Sequence, residues 1–154
     1  MRTKFYFKRR LELRFMKIFT EKIDLQTKKE LEIIDITNRV QRILTNSRLG
    51  NGFVIIFIPG STGAVTTIEF EPGLLEDFPN MLERISPRDA IYEHEKRWHD
   101  GNGHSHVRAS LIGPSLTIPF NNSKLILGTW QQIVFVELDV RPRSRQLYTQ
   151  VVGE

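Results

Sequence analysis

Asn51-Gly-Phe-Val-Ile-Ile-Phe-Ile-Pro-Gly-Ser-Thr-Gly63 carries, from Phe53 to Ile58, an unbroken run of β-branched and aromatic residues. Such a run is the profile of a strand covered on both faces, so this segment is predicted to be the central strand of a sheet. Asn51-Gly52 in front of it is a turn signal. Behind it, Pro59–Gly63 places two glycines and two hydroxyls directly after the buried strand. That turn can present N–H and O–H donors to an anion. It is no Walker loop, because no Gly-Lys-Ser/Thr follows, and a plain hairpin turn remains the competing reading.

On the C-terminal side of this run, Ala64–Phe70 resumes a strand that ends among Glu69 and Glu71. Pro72 then starts a helix over Gly73–Ile85 with Leu74, Leu75, Phe78, Met81, Leu82 and Ile85 inward, and Pro79 should kink or split it. On the N-terminal side, Ile36, Val40, Ile43 and Leu44 recur at helical spacing behind a cap at Asp35 or Thr37. Strands are predicted at Lys17–Leu25, edge-like, and at Glu30–Ile34. The C-terminal half reads as a hairpin, Ser115–Phe120 and Lys124–Leu127 about an Asn121–Ser123 turn, followed by strands Ile133–Val140 and Gln146–Val152. The class is therefore α+β, a single domain built on a mostly antiparallel sheet or sandwich with helices on one side.

A chain of 154 residues, 40% of them hydrophobic, can bury one adequate core. Residues 1–15 are mostly basic and are expected to form an N-terminal extension, dispensable for the core, with the domain spanning residues 16–154. The formal charge of +4 is too small to argue for nucleic acid. No apolar stretch approaches a membrane span. Zero cysteines remove disulfides, thiolate metal sites and cysteine nucleophiles, and fit a cytoplasmic protein. Any metal must use imidazole, carboxylate or water.

All four histidines fall in His94-Glu-Lys-Arg-Trp-His99-Asp-Gly-Asn-Gly-His104-Ser-His106-Val-Arg108. Gly101 and Gly103 allow positive φ, and Asp100 and Asn102 favour turns. If Ser105 caps a helix His106–Ile112 stopped by Gly113-Pro114, His106 sits at the first helical position beside free N–H groups that suit an anion. If the segment is a strand, His104 and His106 share a face and can both bind one metal. A solvated loop is the third reading.

The combination Gly101-Asn-Gly-His-Ser-His106, Ala109-Ser-Leu-Ile-Gly-Pro-Ser115 and Leu127-Gly-Thr-Trp-Gln-Gln132, with the Val-Val-Gly-Glu ending, resembles the YjbQ family from about Met16 to Glu154. The resemblance implies a homotrimeric α+β fold of the YjbQ type. It also implies the secondary thiamine-phosphate synthase activity with which members are often labelled. Tyr92-Glu-His94 matches the family's Tyr-x-His, His106 its most persistent histidine, and Glu69 the acidic residue after the glycine and hydroxyl turn; Trp130, Gln131 and Ser144-Arg145 match as well. The sequence departs at Gly60-Ser61, where many relatives have His-Thr.

These matches imply a metal-dependent enzyme acting on phosphorylated small molecules. A thiamine-phosphate synthase joins a pyrimidine pyrophosphate to a thiazole phosphate, so two anions must be held at once. Glu69, His106 and Arg145 are the expected catalytic residues. Ser61, Thr62, Asn102, Ser105, Arg108, Trp130 and Gln131 are expected around the substrate and its anions. A divalent ion (zinc, magnesium or manganese) is expected on His94, His104 and His106. The alternatives are a trimeric non-catalytic binding module for a phosphorylated metabolite and a metal-dependent hydrolase.

Overall fold

Residues 15–154 are described by the structure, a computed structural model; the expected extension, apart from Phe15, lies outside the described residues. The elements in order are β1 (Lys17–Gln26), β2 (Ile33–Asp35), α1 (Thr37–Ser47), β3 (Gly52–Phe57), β4 (Gly63–Ile68), α2 (Pro72–Ile85), α3 (Glu95–Trp98), α4 (Gly103–Ile112), β5 (Ser115–Asn121), β6 (Lys124–Leu125), β7 (Gln132–Glu137) and β8 (Ser144–Gly153). They form a five-stranded sheet, β1-β8-β3-β5-β6, and a three-stranded sheet, β2-β7-β4. Every strand pair is antiparallel. The α+β class holds.

β3 is the middle strand of the large sheet, as its composition predicts, yet only one of its faces is covered. Val54 and Ile56 point into the core, whereas Phe53 and Phe57 point outward, Phe57 being 42% exposed. An antiparallel strand sends alternate side chains to opposite faces, and among the described residues nothing packs over the outer one. Ile18, Val152, Phe53 and Pro119 pair in one row across that bare face. The strand buried on both sides is β7. Ile133 and Phe135 join the main core with α1, β3 and β8, while Val134 and Val136 face a second core built from Leu82 of α2 and Ala109 of α4. Each fully buried Val, Ile, Leu or Phe contributes about 1.5–3 kcal/mol relative to exposure.

Because β3 and β4 belong to different sheets, the Pro59–Gly63 segment is a crossing between layers and no hairpin turn. Gly63 is needed at its end, since a Cβ there would lie 2.9 Å from the Phe135 ring. The strand predicted at Glu30–Ile34 shrinks to Ile33–Asp35 because Leu31 takes a left-handed φ of 58° and Glu30 turns into an ion-pair cluster. α1 forms as predicted, with Val40, Ile43 and Leu44 buried. Its N-cap is Ile36; Asp35 contributes by accepting the Thr37 N–H at 2.8 Å.

α2 runs unsplit through Pro79, with the Glu71 carboxylate accepting the Gly73 N–H at its start. Only Leu82 of its predicted inward set is fully buried, while Met81 and Ile85 are exposed. The helix touches the small sheet along one narrow stripe. The β5–β6 hairpin turns at Asn122 and Ser123, both at positive φ as a type I′ turn requires. No helix among the described residues is long and apolar enough to cross a membrane.

Candidate functional site

α4 starts at Gly103, three residues before the predicted first position at His106. Its N-cap Asn102 makes no side-chain cap, and Asn102 O already accepts the N–H groups of Ser105 and His106. His106 is therefore a full turn inside the helix, and the free N–H groups expected beside it are not there. Ser105 is fully buried with an unpartnered Oγ, so it does not cap the helix or line an open cradle.

The helix can begin early because of Gly103 and Glu95. A Cβ on residue 103 would stand 2.5 Å from Tyr92 Cβ. The Glu95 carboxylate accepts the N–H groups of Gly103 at 2.6 Å and Gly101 at 2.7 Å. The Gly103 hydrogen bond is the main reason its pKa sits below the ordinary glutamate value. This staple folds α3 against the start of α4 and brings His94 against His106, ring centroids 4.4 Å apart and planes tilted by 39°. His94 Nε2 lies 3.4 Å from Asp100 Oδ1, but the approach lacks hydrogen-bond geometry and the buried nitrogen has no partner among the described residues. Burial, and then the neighbouring His94, push the His106 pKa below the usual imidazole value. His106 is thus neutral at neutral pH.

Opposite His106 stands the crossing segment. Gly60, Ser61, Gly63, His106, Ala109, Ser110 and Pro114 enclose a cleft of about 230 Å³. Beneath it lies a polar network absent from the sequence expectation except for Thr62, Asn102 and Arg145. Arg145 Nε donates to fully buried Glu137 at 2.7 Å, and its Nη2 donates to Thr62 Oγ1 at 2.9 Å. The Thr62 hydroxyl donates to Asp139 at 3.0 Å, and Asp139 also receives Arg143 at 2.7 Å and the Asn102 amide at 3.4 Å. Glu137 and Asp139 were hidden in the run Ile133–Val140. Their signal is there in retrospect: two carboxylates inside an apolar strand, followed by Arg141, Arg143 and Arg145 to neutralise them.

Burial alone would raise the Asp139 pKa, but hydrogen bonds from Arg143, the Arg141 N–H and Thr62 outweigh it and hold the carboxyl below the ordinary value. A folded pKa below the unfolded one gives stability that is fully present above the unfolded pKa, about 4, and is lost as pH falls through the folded value. Asp139→Asn should therefore be less stable than the parent at neutral pH, and the gap in melting temperature should narrow below about pH 4. A gap that stays constant down the whole acid range would remove Asp139 from this account.

His104 and His106 do not share a face, since residues two apart on a helix diverge. His104 turns inward, its Nε2 2.7 Å from Glu30 Oε1. Arg108 is also a core residue. Its fully buried guanidinium pairs with Glu30 at 3.1 Å and with Glu83, and its Nε donates to Ser86 O at 3.0 Å. Arg108, expected as an anion contact, is instead held in a buried ion pair with Glu30 and Glu83. Glu69, Trp130 and Gln131 lie at the other end of the small sheet, where Ile68 pairs with Gln132, while Gly63 beside the cleft pairs with Glu137. Five residues of strand separate the ends by about 17 Å. Trp130 is 70% exposed there, and Gln131 donates to Thr67 Oγ1 at 3.0 Å.

Among the described residues no three or more His, Cys, Asp or Glu side chains converge to hold a metal ion. A larger groove of about 550 Å³ lies on the bare face of the large sheet, lined by Ile55, Phe57, Pro59, Ser115, Tyr148 and Gln150, with no carboxylate, imidazole or cation in its wall.

Comparison with known proteins agrees with this architecture. The family model described as UPF0047 protein YjbQ-like matches residues 21–154. A UPF0047 protein of Methanothermobacter thermautotrophicus is 42% identical over 140 residues, covering 91% of this chain and 96% of the relative. YugU of Bacillus subtilis, also a UPF0047 protein, is 34% identical over 133 residues, 85% of this chain and 97% of its own. Among solved structures, a YbjQ-like protein from Sulfolobus solfataricus P2 superposes with a TM-score of 0.87 at 33% identity, covering 91% of this chain and 100% of that one. A protein of the YjbQ/UPF0047 family from Clostridium acetobutylicum gives 0.77 at 35% identity, covering 84% and 97%.

Proposed function

Because the chain belongs to the UPF0047 family of YjbQ-like proteins, we propose that the cleft between Gly60-Ser61 and His106 takes the phosphate end of a small molecule, with the His94–His106 pair acting on it. The observation that carries this reading is the imidazole pair, with His106 in the wall of the cleft beside Gly60 and Ser61 and the His94 ring 4.4 Å from it. A neutral His106 can accept a proton as a general base, or offer a lone pair to a cation.

A divalent ion, zinc, magnesium or manganese, would be held by His94 and His106 with Asp100 beside them; the orphaned His94 Nε2 supports this. Two imidazoles fall one short of the three protein ligands usual for catalytic zinc, and His104 is engaged with Glu30. Bound there, the ion would neutralise charge on a phosphate or a departing pyrophosphate.

The finer reading, secondary thiamine-phosphate synthase activity in the cytoplasm, needs places for two anions. The cleft beside His106 provides one of them. A homotrimer supplies the remainder in this proposal: the bare apolar face of the large sheet favours burial against another copy, and the end of one chain carrying Glu69, Trp130 and Gln131 completes the cleft of the next. A cleft that takes one phosphate also suits a second reading, a non-catalytic binding module for a phosphorylated metabolite.

The test combines metal analysis of the purified protein, sedimentation, and thermal shift with pyrophosphate and thiamine phosphate, with and without chelator, on the parent and on His106→Ala. Ligand stabilisation that His106→Ala loses is the expected result, and turnover of the two thiamine precursors decides between synthase and binding module. Equal stabilisation of parent and variant, or none of the parent, would rule the cleft out.

A further inference from the structure

The Arg145 guanidinium is clamped on two of its three nitrogens. Nε and Nη2 donate to Glu137, and Nη2 also reaches the hydroxyl and carbonyl of Thr62. Nη1 has no hydrogen-bond partner among the described residues. It lies 3.3 Å from the point where a Cβ on residue 60 would be, and residue 60 is glycine. Gly60 in turn lines the cleft beside Ser61, His106 and Ser110. The missing side chain leaves a gap in the cleft wall with an unused N–H pair directly behind it.

Resting on the reading in which this cleft takes phosphate, we propose that Gly60 is the determinant of a phosphomonoester subsite, with Arg145 Nη1 donating through the gap to the terminal phosphate. The charges suit this. Glu137 balances Arg145, and Arg143 balances Asp139 at 2.7 Å, while Asp139 stays 4.0 Å from Arg145 Nη2. The guanidinium therefore acts less as a bare charge than as a donor pair held rigid by Glu137 and Thr62, and charge-assisted donors of this kind are the strong ones. Ser61 is exposed at the same rim and adds an O–H. His106, neutral, can add a ring N–H, whereas Ser110 has spent its proton on His106 O at 2.8 Å. An alcohol without the phosphate gives Nη1 no anionic acceptor.

Titrating the full chain with inorganic phosphate, glycerol phosphate and glycerol at constant ionic strength tests this. The parent should bind the first two and not the third. Gly60→Ala puts a methyl group against Nη1 and should weaken phosphate binding about tenfold or more. Gly128→Ala, whose added carbon meets only ordinary contacts at 3.7 Å, should bind as the parent does. The guanidinium resonances of the parent, assigned by comparison with Arg145→Lys, should shift on adding phosphate, which keeps the test decisive if Gly60→Ala does not fold. Undiminished binding by a folded Gly60→Ala, or an unmoved Arg145 signal, overturns the subsite; if His106→Ala loses binding in that same experiment, the cleft reading survives. A parent that binds neither phosphate nor glycerol phosphate overturns both.

Discussion

Arg108→Ala is expected to lower the melting temperature by about 6–20 °C. Removing one partner of a buried ion pair costs about 3–5 kcal/mol, because the surviving charge is left without compensation, and each kcal/mol moves a domain of this size by about 2–4 °C. Arg108 is the largest fully buried side chain in the structure, and it serves Glu30, Glu83 and the carbonyl of Ser86 together. Its loss leaves Glu30 with His104 and the more exposed Arg88 at 3.3 Å in place of the buried guanidinium. Arg88→Ala is the control, with an expected change of about 0–1 kcal/mol, since Arg88 is 60% exposed. A thermal melt showing Arg108→Ala within two or three degrees of the parent would contradict the assignment. The site is also involved: Arg108 and His104 anchor the inward side of α4, and that anchoring sets the rotation that presents His106 to the cleft.

Gly52→Ala should be as damaging by a different route. The new Cβ would fall 2.0 Å from the carbonyl oxygen of Val152 and 2.7 Å from Gly153 Cα, in the strand that holds the large sheet together. Both neighbours are backbone, so no rotamer change relieves the clash, and β3 must part from β8 at the point where Gly52 pairs with Gly153. Overpacking and backbone strain together cost about 3 kcal/mol or more. Far-ultraviolet circular dichroism and a thermal melt would show a folded protein with a deeply lowered transition, or no soluble protein. Gly50→Ala, whose Cβ would meet Glu154 O at 3.5 Å, should melt close to the parent; equal melting of all three would refute the close approach.

What the sequence discloses depends on how local the cause is. The face of α1 could be read from Ile36, Val40, Ile43 and Leu44, because helical spacing and burial there agree. The hairpin at Asn121–Ser123 and the helix stop at Gly113 depend on backbone conformations that short stretches dictate. β3 and β7 look alike as apolar runs, and only tertiary packing separates the strand covered on one face from the strand covered on both. Ser61 and His106, which meet at the cleft, stand out as residues of loops rich in glycine, hydroxyl and imidazole, whereas Arg145, which reaches Thr62, is marked only by the family resemblance. Glu30 escapes a sequence reading because its partner Arg108 is distant in sequence, whereas Glu137 and Asp139 are masked by the apolar run around them although Arg145 and Arg143 follow close behind. Arg108 was misjudged for the same reason, as an arginine in a polar loop gives no local sign that two carboxylates will enclose it.

The place of β8 in the large sheet bears on how this chain reaches its native state. β8 lies between β1 and β3, and its register joins Lys17 to Gly153 and Phe53 to Val152. Strands from the first third of the sequence therefore have no shared hydrogen-bonded neighbour until residues 144–153 arrive. Such long-range closure must meet its loop entropy before it is rewarded, which makes folding slow compared with domains assembled from local contacts. On a ribosome, β1 and one edge of β3 wait unpaired until residues 144–153 have emerged, an interval in which unpaired edges invite pairing with other chains. The cooperativity of the large sheet thus depends on residues 144–153, the one strand that joins β1 to β3.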